Sequence, residues 1–194
     1  MTKLSSVCVF CGSRAGGNPL YAEQSEALGR MLGERGIQLV YGGGGIGLMA
    51  SVANAAIKAG GDVLGIIPKF LRDYEVGSVD GANEILVEGM HDRKAKMFEA
   101  SDAFVIMPGG LGTLDETIEI ITWKQLQQHN KPIVFVNING YWDPFMALVD
   151  RVVEAGFGHH KVKELYQVVE NVEQIFSALE NAPDADKVVL LSHL

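Results

Sequence analysis

A chain of 194 residues with 47% apolar residues is long enough for one sizeable core and short for two, and its 21% charged fraction and positive mean hydropathy exclude a disordered chain. The net charge of -8 argues against a protein that tracks nucleic-acid phosphates, while leaving room for a small anion held by local donors. No apolar run approaches the roughly 18 residues of a membrane span and the N-terminus lacks the order of a signal peptide, so a cytoplasmic protein with no membrane partner is expected.

The first β-type run is SSVCVF, followed by FCGSRAG, which brings Ser13 to the end of a strand. Cys8 and Cys11 form a C-x-x-C, but positions three apart on a strand point to opposite faces. They read as two buried small side chains rather than a disulfide or a zinc site. Next, NPLYAEQSEALGRMLGERG sets Leu20, Ala27, Leu28, Met31 and Leu32 along one helical stripe that Gly36 ends.

The second run, IQLVY, leads into YGGGGIGLMA, where Gly45, Gly47 and Ala50 fit the G-x-G-x-x-A dinucleotide pattern. That pattern belongs to the first strand-turn-helix unit and wants an acid about 20 residues on, where this chain reads GIIPKF. A dinucleotide oxidoreductase is therefore disfavoured. Gly43, Gly44 and Gly45 stay as ligand-facing candidates, with a tight turn against a packed helix as the structural alternative.

After the third run, DVLGII, the segment Pro68 to Asn83 breaks the strand-helix rhythm; mixed loops of that length are functional or mobile, which makes it a candidate lid. The fourth run, EILVE, precedes MHDRKAKM at a helix start. Cations in a first turn oppose the helix dipole, so Arg93 and Lys94 point to an anionic ligand, although solvated lysines and an Asp92-Lys96 pair give the bland alternative. The planar fork of Arg93 suits bidentate phosphate or carboxylate.

The fifth run, AFVIM, opens into MPGGLGTLDE. Pro108 ends the ladder, and a helix expected from Thr113 aims its unpaired amides at the turn, where backbone donors and the dipole hold an anion without a lysine. G-K-[ST] is missing, so this is no Walker loop. Thr113-Leu-Asp-Glu116 also fits a capping box, and the segment alone leaves cap and site equally open. Its place at a strand's carboxyl end, beside a second glycine loop, favours a site.

PIVFVNI and YQVVE complete seven β-type runs. Alternation with helical stretches predicts a doubly wound, mostly parallel sheet with helices on both faces, Rossmann-like, as one domain over residues 1-182 with a tail at 183-194.

PGGLGTLDE matches P-G-G-x-G-T-x-x-E, MHDRK matches the element before it, and VCVFCGS and YGGGGIGLM match the opening segments of one family; the match runs on to NINGYWD. The chain resembles the Lonely Guy family of cytokinin riboside 5'-monophosphate phosphoribohydrolases, formerly labelled lysine decarboxylases. The resemblance implies hydrolysis of the N-glycosidic bond of an N6-modified AMP, with a small nucleoside 5'-monophosphate as the partner, no nucleic acid, no metal or organic cofactor, and a homodimer. It places the catalytic pair on Arg93 and Glu116 and nucleotide contacts on Lys94, Gly109, Gly110, Gly112, Thr113 and Thr122. Met90, Asp115, Ser13, Gly44 and Gly45 join as further substrate-binding candidates, and Glu75 as an acidic contact in a loop longer than the plant pattern. The rival is a non-catalytic nucleotide or molybdenum-cofactor binding protein of the same fold. The residues agree with the hydrolase. An oxocarbenium-like ribosyl wants a carboxylate, for which Glu116 is the choice, while Asp115, about 100° around the helix, faces elsewhere and supports the cap. Arg93 then clamps the phosphate or orients Glu116.

Overall fold

The computed structural model describes residues 4–72, 77 and 79–183. Seven strands stand where the seven β-type runs predict them: β1 (Ser6–Phe10), β2 (Gln38–Tyr41), β3 (Val63–Pro68), β4 (Asn83–Val87), β5 (Ala103–Ile106), β6 (Ile133–Val136) and β7 (Gln167–Val169). They form one sheet in the order β4-β3-β2-β1-β5-β6-β7, and every neighbouring pair is parallel. The helices between them are α1 (Pro19–Glu34), α2 (Gly47–Lys58), α3 (Lys69–Arg72), α4 (Met90–Glu99), α5 (Leu111–Gln125), α6 (Asp143–Glu154) and α7 (Ile175–Glu180). None of the helices among the described residues is long and apolar enough to cross a membrane.

The central strands are buried on both sides because alternate residues feed two cores. Val7 and Val9 pack with Leu39, Val134 and the buried faces of α1, α2 and α7. Cys8 and Phe10 pack with Val40, Phe104, Phe135 and residues of α4, α5 and α6. Cys8 and Cys11 fall in opposite cores as free thiols, and burial first, then the nearby Glu116, pushes both well above the usual thiol range.

Asn18 caps α1 by accepting from the Leu20 N–H at 3.1 Å, with Pro19 at its first position. Leu28 and Leu32 of the predicted stripe are fully buried, each worth about 1.5–3 kcal/mol of transfer free energy, whereas Leu20 is exposed. The close contact with α2 is made by Gly29 instead, where a Cβ would stand 2.1 Å from the Val52 carbonyl oxygen.

The segment from Pro68 to Asn83 is less of a loop than expected. Pro68 pairs with Val87 as the last residue of β3, a position where a missing N–H breaks no interior ladder bond, and α3 follows at once. Val79 is buried in the first core. Glu75 and part of the candidate lid lie outside the described residues, as does the tail from residue 184.

Candidate active site

The chain runs outward from β1 through β2, β3 and β4, then returns to lay β5 on the other side of β1. Ligands of open α/β sheets sit outside the carboxyl ends of the strands at such a reversal. A cleft of about 200 Å³ lies there, with Gly12, Ser13, Gly42, Arg93, Thr113 and Glu116 among its walls. Backbone bonds tie its rims together: the Gly12 N–H donates to the Pro108 carbonyl at 3.0 Å and the Leu48 N–H to the Gly12 carbonyl at 3.1 Å.

One wall is the start of α5. The helix begins at Leu111, not at Thr113 as the capping-box pattern predicts, and its N-cap is Gly110, which has no side chain to bond. The first rung runs from the Leu114 N–H to the Gly110 carbonyl at 3.1 Å, so the amides ahead of it have no acceptor within the helix. Thr113 therefore sits inside the first turn, buried, and packs so tightly on Gly109 that a Cβ there would lie 2.1 Å from its Oγ1. Among the described residues, none beyond their own stretch of chain comes within 4 Å of a Cβ built on Gly110 or Gly112, which leaves that side of the turn open.

A turn further along α5, Glu116 forms a buried ion pair with Arg93 of α4. Glu116 and Arg93 are each 7% exposed, with Arg93 Nη1 4.0 Å from Glu116 Oε1. Arg93 is fixed by the ends of two strands: Nε donates to the Ile66 carbonyl at 3.2 Å and Nη2 to the Gly42 carbonyl at 2.9 Å. Burial pushes the Glu116 carboxyl from its ordinary 4.5 up to about 7, with Arg93 pulling the other way. The side chain does not fold back to cap its own helix; among the described residues it accepts no hydrogen bond.

Lys94 and Asp115 lie beside the cleft, not in its walls, and bond to each other. Lys94 Nζ is 3.1 Å from Asp115 Oδ2 and 3.0 Å from Glu119 Oε2. Partial burial works against its charge, but Glu119 and Asp115 hold the ammonium above its ordinary range. Asp115 thus joins α5 to α4 and does not serve the cap. Gly109 does not line the cleft and packs on Thr113, which does. Met90 accepts weakly from Arg93 through its sulfur at 3.9 Å, Thr122 bonds to the Ile118 carbonyl of its own helix at 2.8 Å, and Gly44 and Gly45 are not among the residues lining the cleft.

The cleft also contains residues that sequence reasoning missed. Met49 and Met97 furnish apolar wall, and Leu111 stands at the rim, 84% exposed. Gly42 is the most informative omission: a Cβ there would lie 1.9 Å from Arg93 Nη2 and 3.1 Å from Met49 Sδ. Its place as the first glycine after β2 was the available signal. Gly42→Ala is expected to destabilise the protein by about 1–3 kcal/mol through overpacking, read as a lower Tm, and to displace Arg93.

Such a sheet, with a helix N-terminus and a buried acid at its reversal point, defines a Rossmann-like α/β protein with a site suited to an anionic ligand. Residues 49–179 match the family model described as possible lysine decarboxylase. The chain is 44% identical over 155 residues to the probable cytokinin riboside 5'-monophosphate phosphoribohydrolase LOGL1 of Oryza sativa subsp. japonica, covering 80% of this chain and 70% of that protein. It is 46% identical over 156 residues to cytokinin riboside 5'-monophosphate phosphoribohydrolase LOG of the same plant, covering 80% and 64%. In structure it is similar to the molybdenum cofactor carrier protein of Chlamydomonas reinhardtii, with a TM-score of 0.69 at 20% identity over 93% of this chain and 98% of that one, a likeness of fold alone. The chain belongs to the Lonely Guy family, as its four sequence motifs imply.

Proposed function

We propose that this protein hydrolyses the N-glycosidic bond of a cytokinin riboside 5'-monophosphate, or of AMP itself, to the free base and ribose 5-phosphate. The observation that carries the reading is the buried Glu116 carboxyl, 4.0 Å from Arg93, lining the same cleft as the residues that open α5. The amides from Gly110 to Thr113 grip the 5'-phosphate with the helix dipole behind them. The sugar then spans the cleft, and Glu116 faces the anomeric carbon, where it stabilises oxocarbenium character and activates water. Arg93 already spends two of its nitrogens on backbone carbonyls. That arrangement supports orienting Glu116 over clamping the phosphate.

The family's older label implies a pyridoxal phosphate Schiff base on a lysine, and among the described residues lining the cleft there is no lysine. The same reading takes the protein as cytoplasmic and, on the family resemblance, as a homodimer, and needs no metal or organic cofactor.

Base release from N6-isopentenyladenosine monophosphate, AMP and the two nucleosides tests the proposal. Two charge-assisted bonds to phosphate, at about 1.5–3 kcal/mol each, predict that removing the phosphate lowers kcat/KM roughly 10²–10⁴-fold. Tight binding of the monophosphates with no base release would instead establish a carrier.

A further inference from the structure

Tyr141 has no part in the chemistry described so far, yet its hydroxyl donates to the carbonyl of Gly109. It reaches there from the NINGYWD segment after β6. The turn Ile138–Gly140 carries Asn139 at φ 51° and Gly140 at φ 72°, both in the left-handed region. Asn137 locks that turn, accepting from the Trp142 N–H at 2.7 Å and donating to Asp143 Oδ1 at 2.7 Å.

The ring of Tyr141 is gripped from two sides. Trp142, itself buried, meets it edge-on with centroids 4.9 Å apart, and Tyr21 of α1 does so at 5.5 Å. Behind Tyr21 lies Gly16, where a Cβ would stand 2.8 Å from the Tyr21 ring. The loop after β1, the first turn of α1 and the turn after β6 therefore converge on one peptide of the glycine loop. Gly109 in turn sets Thr113, against which it packs with no room for a Cβ.

We propose that Tyr141 is a positioning residue: through the Gly109 carbonyl it fixes the glycine loop so that the amides from Gly110 to Thr113 converge on the substrate phosphate. The inference rests on the phosphoribohydrolase reading of this site. The loop holds no side chain that could cap α5, so its position depends on bonds made from outside, and Tyr141 makes one from a separate strand connection. The hydroxyl itself does not touch substrate.

Tyr141→Phe keeps the ring and its packing and removes only the donor. Loss of one hydrogen bond is expected to lower Tm by about 1–6 °C. The ratio of kcat/KM for a nucleoside monophosphate to that for its nucleoside should fall about tenfold, a fraction of the roughly 10² that an ångström of misplacement costs. Binding of ribose 5-phosphate, measured by calorimetry, should weaken by a similar factor. Equal losses for the monophosphate and the nucleoside, or unchanged ribose 5-phosphate binding, would overturn the proposal. An inactive wild-type protein whose ribose 5-phosphate binding still weakens in Tyr141→Phe would sink the hydrolase reading and leave the positioning role standing.

Discussion

Glu116→Gln is expected to lower base release by roughly 10²–10⁴-fold while leaving ribose 5-phosphate binding within a few-fold, because the amide keeps the shape of the acid and loses its charge and basicity. The wild-type pH profile should show the same group. With the carboxyl held up to about 7, kcat/KM climbs with pH, with an apparent pKa near that value, and levels off above it. The Gln variant should lack that limb. A wild-type rate that instead fell through pH 7 would mean that the protonated acid acts, as donor to the leaving base.

Stability should move in the opposite sense. The unfolded chain ionises Glu116 near 4.5 and the folded one near 7, so the folded state binds its proton more tightly. The cost of a buried carboxylate is then absent below about pH 4.5, grows through the interval, and is complete above about 7. A shift of this size corresponds to about 3 kcal/mol. Glu116→Gln should accordingly raise Tm by several degrees at pH 8, and the gain should shrink toward pH 5. A group that weakens the resting protein and is proposed to carry its chemistry fits a site selected for activity.

The sheet was open to reading because its strands are short apolar runs, punctuated by helical stretches whose stripes face the two cores. Even β7, a three-residue strand, shows in YQVVE. The start of α5 was misread for a physical reason: Thr113 and Glu116 have the spacing of a capping box, but Gly110 reaches the cap conformation with no side chain, which moves the helix start to Leu111. Gly29 and Gly33 carry close contacts between segments distant in the chain, and no local pattern marks them, whereas Gly42 is marked only by its place after β2. The resemblance to P-G-G-x-G-T-x-x-E implies Glu116 as the acid, and the chemistry of an oxocarbenium-like ribosyl agrees. What raises its pKa was out of reach, because its burial depends on α4 and α5 meeting, and the guanidinium that opposes that burial is anchored on β2 and β3 by carbonyls 51 and 27 residues away from Arg93.

Arg93 tests that arrangement most sharply. Arg93→Ala leaves the Ile66 and Gly42 carbonyls without their donor and the Glu116 carboxylate buried without a counter-charge. Removing one partner of a buried pair is destabilising by about 3–5 kcal/mol, which thermal unfolding at pH 8 should register. The Glu116 pKa should rise beyond 7 when its cation is gone, so the activity that remains needs a higher pH. Arg93→Lys restores the charge but not a planar fork able to hold two carbonyls and still face the acid; it should recover part of the stability and little of the rate. The double variant with Glu116→Gln separates the two roles left open by the sequence. If Arg93 acts by orienting and ionising the acid, its loss matters much less once the acid is an amide, and the two changes are strongly non-additive in both stability and kcat/KM. A guanidinium that clamped phosphate would instead weaken ribose 5-phosphate binding by the same factor in either background. The two carbonyl bonds, which turn the fork toward Glu116, favour the first result.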